Sequence, residues 1–370
     1  MMSVSQVTRA GVLLWWSVLF CMVYACRPAA AQPLSDGIGD LRVMTYNVDE
    51  GTDFLEVAAA RTVADLLVAV GQTITQVRAT QPPQRMAALA TQILAAHPAL
   101  ISLQELDQWF TGPFDPVTGT CGAVTLEFDL LQALLDALAA QGGHYQAVVQ
   151  AQQVAFPPTP GLLLPGTFVC VAVVNYNAIL ARTDLRASMF QWRNPQSAQF
   201  VSGVVLTTPL GPVPVPSAWV SVDAVWHGTA FRFIGTHLQA NDVDVREQQG
   251  AELRAIVATT ALPVIVAMDA NAQAWPPPLD ATYLDFIAAG YRDAWLEIFP
   301  SAPGFTCCQA PLVNNVASEL SQRIDLILTL GPVEVQNLAL FGADTASKTA
   351  DGLWPSDHAS VAAQVVIKKE

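Results

Sequence analysis

Apolar runs that stop on pairs of polar residues recur along this chain. In "PVIVAMDANA", residues 263–272, positions 264–268 carry no polar break, as in a strand buried on both faces, and the run stops on Asp269 and Asn271. Alternate residues of an extended chain share a face, so both side chains can enter one cleft beyond the strand end. A carboxylate and a carboxamide there suit activation of water beside a charged oxyanion, although Asp and Asn are also ordinary turn residues. "DLRVMTYNVDEG" (40–51) alternates as a strand and ends on Asn47 and Asp49, again two apart. "ALISLQELD" (99–107) is a short buried strand that delivers Gln104 and Glu105; one carboxylate with waters and a substrate phosphate suffices for Mg²⁺.

Between these runs the period changes. Residues 52–85 predict one or two helices, interrupted near Gly71 and stopped by Pro82-Pro83. Met86, Leu89, Ala90, Ile93 and Leu94 follow helical spacing up to His97-Pro98, which ends that helix. Residues 109–165 read as an elaboration: a loop with Cys121, a helix with Phe128, Leu131, Leu135 and Leu138 on one face, then a Pro-rich loop whose residues 162–164 plug the core in preference to walling a substrate. "FVCVAVVNYNAILAR" (168–182) joins two apolar stretches through Asn175-Tyr176-Asn177, a place for amides to meet a phosphate oxygen. A hairpin turns at His227-Gly228, and its return strand ends at His237. Asp244 and Glu247 resemble a capping box for the next helix. Asp325 opens the apolar run "DLILTL", and Asp357-His358 precede the last strand. Ser356-Asp357-His358 is no nucleophilic triad, since sequence neighbours on extended chain point apart and no G-x-S-x-G elbow is present.

The amino terminus stands apart. "GVLLWWSVLFCMVY" (11–24) follows Arg9 and leads to "RPAAAQ", the pattern of a secretory signal cut after Ala31. Export to the periplasm or the medium is therefore expected, with 32–370 as one domain elaborated at 52–85 and 109–165. Cys26 offers a looser fit to a lipid-anchored first residue, the alternative tie to a membrane. Four of the six cysteines lie beyond the cut; Cys121 and Cys170 bracket one segment and are the favoured disulfide, leaving Cys307 and Cys308 adjacent. No C-x-x-C spacing or zinc-type histidine pattern accompanies them, so metal binding by these cysteines is not expected. The formal charge of −14 loses Arg9 and Arg27 with the leader, giving −14 − 2 = −16. With no lysine before Lys348 and no basic run, tight sequence-independent DNA binding is disfavoured.

Taken in order, Asn47 in "YNVDEG", Glu105 in "LQELD", His237 in "THLQAND", Asp269 and Asn271 in "MDAN", Asp325 in "RIDLI" and Asp357-His358 in "SDH" resemble the endonuclease/exonuclease/phosphatase superfamily. "THLQA" is closest to its deoxyribonuclease and sphingomyelinase branches, whereas Asp49 after Asn47 is more like the abasic-site endonucleases. The resemblance implies an α/β fold: a four-layer sandwich of two packed mixed sheets with helices outside. It implies Mg²⁺, Mn²⁺ or Ca²⁺ held by Glu105 with help from Asp49, phosphate contacts from Asn47 and Asn177, and catalysis by His237, Asp269, Asn271, Asp325, Asp357 and His358. Within those roles, Asp269 oriented by Asn271, or else His358 leaning on Asp325, takes a proton from water. The expected activity is metal-dependent hydrolysis of a small or lipid-borne phosphodiester by a monomer that meets membranes as a substrate source. Nucleic acid is the alternative substrate, and a non-catalytic surface module the alternative class.

Overall fold

The computed structural model describes residues 40–164 and 166–369. The leader expected at 1–31 and the lipidation expected at Cys26 lie outside the described residues. Strand β1 (Leu41–Asn47) is buried throughout. Helices α1 (Leu55–Ala59), α2 (Val63–Ala79) and α3 (Pro82–Ala96) follow. The expected break near Gly71 does not occur, whereas the one before Pro82-Pro83 does. α2 runs through Gly71, where a Cβ would collide with the carbonyl of Leu162; a missing side chain admits a neighbouring strand. α2 ends at Ala79, and after Thr80-Gln81 the two prolines open α3, because the first helical turn does not use the N–H that proline lacks.

Strands β2 (Leu100–Gln104) and β3 (Gln108–Gly112), the small hairpin β4 (Phe114–Asp115) and β5 (Thr120–Cys121), β6 (Thr125–Asp129) and helix α4 (Leu130–Ala140) come next. Phe128 belongs to β6, and α4 buries Leu130, Leu134 and Leu138 in place of the face predicted from Leu131 and Leu135. The Pro-rich segment is also not a loop. It lies in the long strand β7 (Tyr145–Leu163), paired with β8 (Thr167–Arg182). β7 is an edge strand, where prolines are tolerated, and the register shift between Phe156 and Thr159 takes up Pro157-Pro158. A second long hairpin, β9 (Phe190–Thr208) with β10 (Gly211–Trp226), leads through the turn at His227-Gly228 into β11 (Thr229–His237). Helix α5 (Val243–Val257) is capped by Asp242, which accepts from Val245 N; Asp244 and Glu247 form no box. Then come β12 (Val264–Asp269), α6 (Ala281–Ala288), β13 (Arg292–Asp293), α7 (Ala294–Ile298), β14 (Asp325–Leu330), β15 (Val333–Phe341) and β16 (Ser360–Ile367).

One sheet runs β15-β16-β1-β2-β8-β3-β6 with β7 on β8, and the other β13-β14-β12-β11-β10-β9. Both are mixed, since β1–β2 and β11–β12 are parallel and their other pairings antiparallel. Alternation along the central strands builds the layers. Leu41 and Val43 of β1 meet Ile265 and Ala267 of β12 between the sheets, whereas Met44 and Tyr46 turn outward onto α2 and α3. Val264, Val266 and Met268 likewise face Leu253 of α5 and Phe286 of α6. Each such aliphatic side chain contributes about 1.5–3 kcal/mol of burial. The result is the four-layer helix–sheet–sheet–helix sandwich. Cys121 and Cys170 form a disulfide, and Cys307 and Cys308 are joined to each other. Among the described residues no helix is long and apolar enough to cross a membrane.

Candidate active site

Strand register brings the polar ends together. Asn47 ends β1 opposite Gln104 of β2, so Glu105 follows at the same edge. In the second sheet His237 pairs with Asp269 and Asp269 with Asp325, placing three functional side chains on adjacent strands. His358 arrives two residues before β16, which pairs with β1. One rim of the sandwich therefore collects groups from both sheets, because parallel neighbours end level and each antiparallel neighbour starts where they end.

Asn47 Nδ2 lies 2.7 Å from Glu105 Oε1 and 3.0 Å from Asp269 Oδ2, holding two carboxylates on one amide nitrogen. That occupies the amide expected to meet phosphate, and Asn47 is fully buried. Glu105, His237 and Asp269 offer donor atoms within 4.8 Å of one another. Two convergent carboxylates with hard oxygen donors repel each other, and a small divalent cation between them relieves that repulsion; the residues fit one. Asp49 is drawn elsewhere: its Oδ2 sits 3.2 Å from Arg85, and burial pushes its pKa up although Arg85 opposes. It belongs to no group of potential ligands among the described residues.

Asn271 has a left-handed backbone (φ 47°) and reaches back across the strand end. Its Nδ2 donates to Leu238 O at 3.0 Å and lies 2.9 Å from His237 Nε2. Asn271 thus orients His237 with its side chain; Asp269 receives only its backbone N–H, at 2.9 Å. His358 Nδ1 lies 2.8 Å from Asp325 Oδ2, and its Nε2 is 3.9 Å from Asp269 and from Asp357. Burial opposes protonation of His358, yet Asp325 and Asp357 outweigh it and hold the imidazolium well above the ordinary histidine range. Burial pushes Asp325 up to about 6 against the pull of His358, and raises Asp357 well above the carboxylate range. Ser356 Oγ donates to Asn47 O and accepts from His358 N, so it shapes the loop.

Asn177 is not at the rim. It is buried between the sheets, donating to Ala218 O at 2.8 Å and accepting from Gln153. Asn175, two residues earlier on the same face, lines the cleft and donates to Glu50 and Asp107. Arg85 was also missed: its guanidinium is buried and donates to the carbonyls of Val48, Asp49, Thr80 and Pro355. Thr306 accepts from the backbone N–H of Asp325 at 3.1 Å and fixes that strand start.

The rim is the polar end of a cleft of about 1020 Å³. Glu50, Glu105, His237, Asp269, Asp357 and His358 line one end; Phe54, Val70, Phe156, Val204, Leu206, Val213 and Val215 line the remainder. None of residues 162–164 lines it; Leu163 packs on the core and Leu164 is 91% exposed.

Solved structures share this architecture. A mannosyl-6-phosphatase from Bacteroides thetaiotaomicron superposes with a TM-score of 0.54 at 16% identity, over 88% of this chain and 99% of that one. An endonuclease/exonuclease/phosphatase family protein from the same organism gives 0.54 at 17%, over 89% and 98%. One from Leptotrichia buccalis gives 0.51 at 15%, over 88% and 99%. No family model matches the sequence, and no curated protein matches it. At these identities the likeness establishes the fold: the chain has the endonuclease/exonuclease/phosphatase architecture.

Proposed function

We propose that the protein is a divalent-metal-dependent phosphoester hydrolase whose substrate is a phosphodiester carrying an apolar group. The observation that carries this reading is the cleft itself, with acid, histidine and amide groups at one end and apolar walls along the rest. Glu105, with Asp269 beside it, would hold Mg²⁺, Mn²⁺ or Ca²⁺, which would supply Lewis-acid polarisation of a phosphoryl oxygen. Asp269 accepts the proton of an attacking water. His358, kept as imidazolium by Asp325, presents Nε2–H toward the same point and stabilises charge on the phosphoryl group. His237, held by Asn271, stands on the other side of Asp269 with its Nε2 3.5 Å from Asp269 Oδ2. One ester substituent lies against Phe54, Phe156 and Val213 while the other leaves through the open end. Apolar walls fit that substituent, and a net charge of −14 disfavours a nucleic-acid backbone.

Export belongs to the same reading, because lipid-borne phosphodiesters lie outside the cytoplasm as well as within it; amino-terminal sequencing of protein recovered from the periplasm or medium should begin after Ala31. The substrate test is a panel with Mg²⁺: bis-p-nitrophenyl phosphate, sphingomyelin in mixed micelles, plasmid DNA, RNA and mannose 6-phosphate. The expected result is chelator-sensitive turnover of the micellar and synthetic diesters. Plasmid nicking without lipid turnover would make it a nuclease, and turnover of the sugar phosphate alone a monoesterase. Absence of both turnover and calorimetric cation binding would leave a non-catalytic module.

A further inference from the structure

Cys307 and Cys308 lie in the cleft wall beside the rim, joined in a disulfide. Cys307 is buried and Cys308 exposed. Cys308 Sγ is 3.9 Å from His358 Nε2, a residue 50 positions downstream, and both sulfurs and a ring nitrogen of His358 fall within 4.8 Å of one another. Cysteine spacing alone gives no reason to expect a metal here; the fold supplies the third ligand. Asp325 already holds His358 by Nδ1 at 2.8 Å, which aims Nε2 at the sulfurs. A carboxylate behind a histidine is the usual support for imidazole bound to zinc.

While the sulfurs are bonded to each other neither offers a thiolate, and thiolate is the ligand a soft cation needs. We propose that the reduced Cys307–Cys308 pair and His358 form a binding site for a thiophilic divalent cation such as Zn²⁺, closed while the disulfide stands. A dithiol reductant opens it in two steps. One reductant thiolate attacks the exposed Cys308 sulfur, breaking the Cys307–Cys308 bond and releasing Cys307 as thiolate. The second reductant thiolate then attacks its own sulfur in the mixed disulfide, forming the reductant's internal disulfide and releasing Cys308. Two electrons pass to the protein, and the reductant's two protons go to the cysteines. Cation binding displaces those protons, and the Nε2 proton of His358, to solvent. Two sulfurs and one nitrogen fill three corners of a tetrahedron, and water the fourth. Loss of turnover on Zn²⁺ binding rests on the role of His358 proposed above; the binding itself does not.

The test uses the full chain, oxidised or treated with dithiothreitol and desalted anaerobically, with Co²⁺ as the spectroscopic probe and Zn²⁺ for calorimetry. The reduced chain should gain two titratable thiols at this pair, show thiolate-to-cobalt charge-transfer absorption at one equivalent, and bind Zn²⁺ at least about tenfold more tightly than the oxidised chain. His358→Ala should weaken Zn²⁺ about tenfold or more. Stoichiometric Zn²⁺ should abolish turnover of the reduced chain only. A reduced chain without the absorption, a disulfide that resists dithiothreitol, or a band that survives Cys307→Ser with Cys308→Ser would overturn the site. A band without turnover in any redox state would overturn the hydrolase reading and leave the site standing.

Discussion

At one end of the cleft, Asn47, Asp269 and Asp325 are terminal residues of short strands buried on both faces; at the other, Val204, Leu206, Val213 and Val215 hang from a hairpin that alternates between half-buried and exposed positions. The first region takes its geometry from register. A one-residue slip of β12 would turn Asp269 away from Asn47 and bury a polar group against the helices. The second takes only its apolarity from the strand period, and a one-residue slip there exchanges Val204 for Val205 or Val213 for a proline, apolar in each case. On the proposed reading, chemistry that needs defined atoms sits where packing fixes them, and contact with a variable apolar group sits where it does not.

That contrast can be broken most directly at the rim. Asp269→Ala should lower kcat for bis-p-nitrophenyl phosphate by about 10³-fold, the middle of the range for loss of a proton-transfer group, with little change in melting temperature. Retention of most activity would remove Asp269 from the mechanism. Removing the Cys121–Cys170 disulfide, which spans 49 positions and ties β5 to β8 near the tip of the β7–β8 hairpin, should cost about 4 kcal/mol of stability and show as a large fall in melting temperature. A small shift would mean that strand pairing alone holds that region.

Asp325→Asn should shift the pH dependence. His358 is raised in the folded protein, so its ion pair contributes fully below the ordinary histidine value of 6.5 and is lost as pH rises through the folded value. Without Asp325, burial is less opposed, the imidazolium deprotonates at lower pH, and the alkaline limb of the rate profile should move down with a loss of roughly 10-fold or more at neutral pH. A side-chain NMR titration of His358 that does not move would contradict this. The smallest effect is expected on the hairpin: Val213→Asp should raise KM for micellar sphingomyelin about tenfold, and affect the small synthetic diester much less.

The rim was readable in sequence because a polar residue that ends an uninterrupted apolar run has few other places to go. Asp269 carries that mark outright; Asn47, Glu105 and His237 close strand-like runs that hold some polar residues, and Asp325 opens an apolar one. Asn177 carried it too, and the structure seats Asn175 at the rim instead. Both share a face of β8, and what separates them is that Asn177 is covered by Ala218 of β10 while Asn175 reaches Glu50 and Asp107, an overlap of two sheets that no local period encodes. Arg85 was invisible for a similar reason: on a helix face it looks like a solvated cation, and only the packing of α3 against β1 buries it. The prolines of β7 were read as a loop because edge placement, which makes them harmless, is a property of the sheet.

Arg85 itself has a consequence for motion. Its guanidinium bonds to Val48 O at 2.9 Å, Asp49 O at 2.8 Å and Pro355 O at 3.1 Å, so the segment after β1 and the segment carrying Asp357 and His358 are pinned to one side chain of α3. A tilt of that helix would carry both segments together, opening or closing the acidic end of the cleft as one jaw.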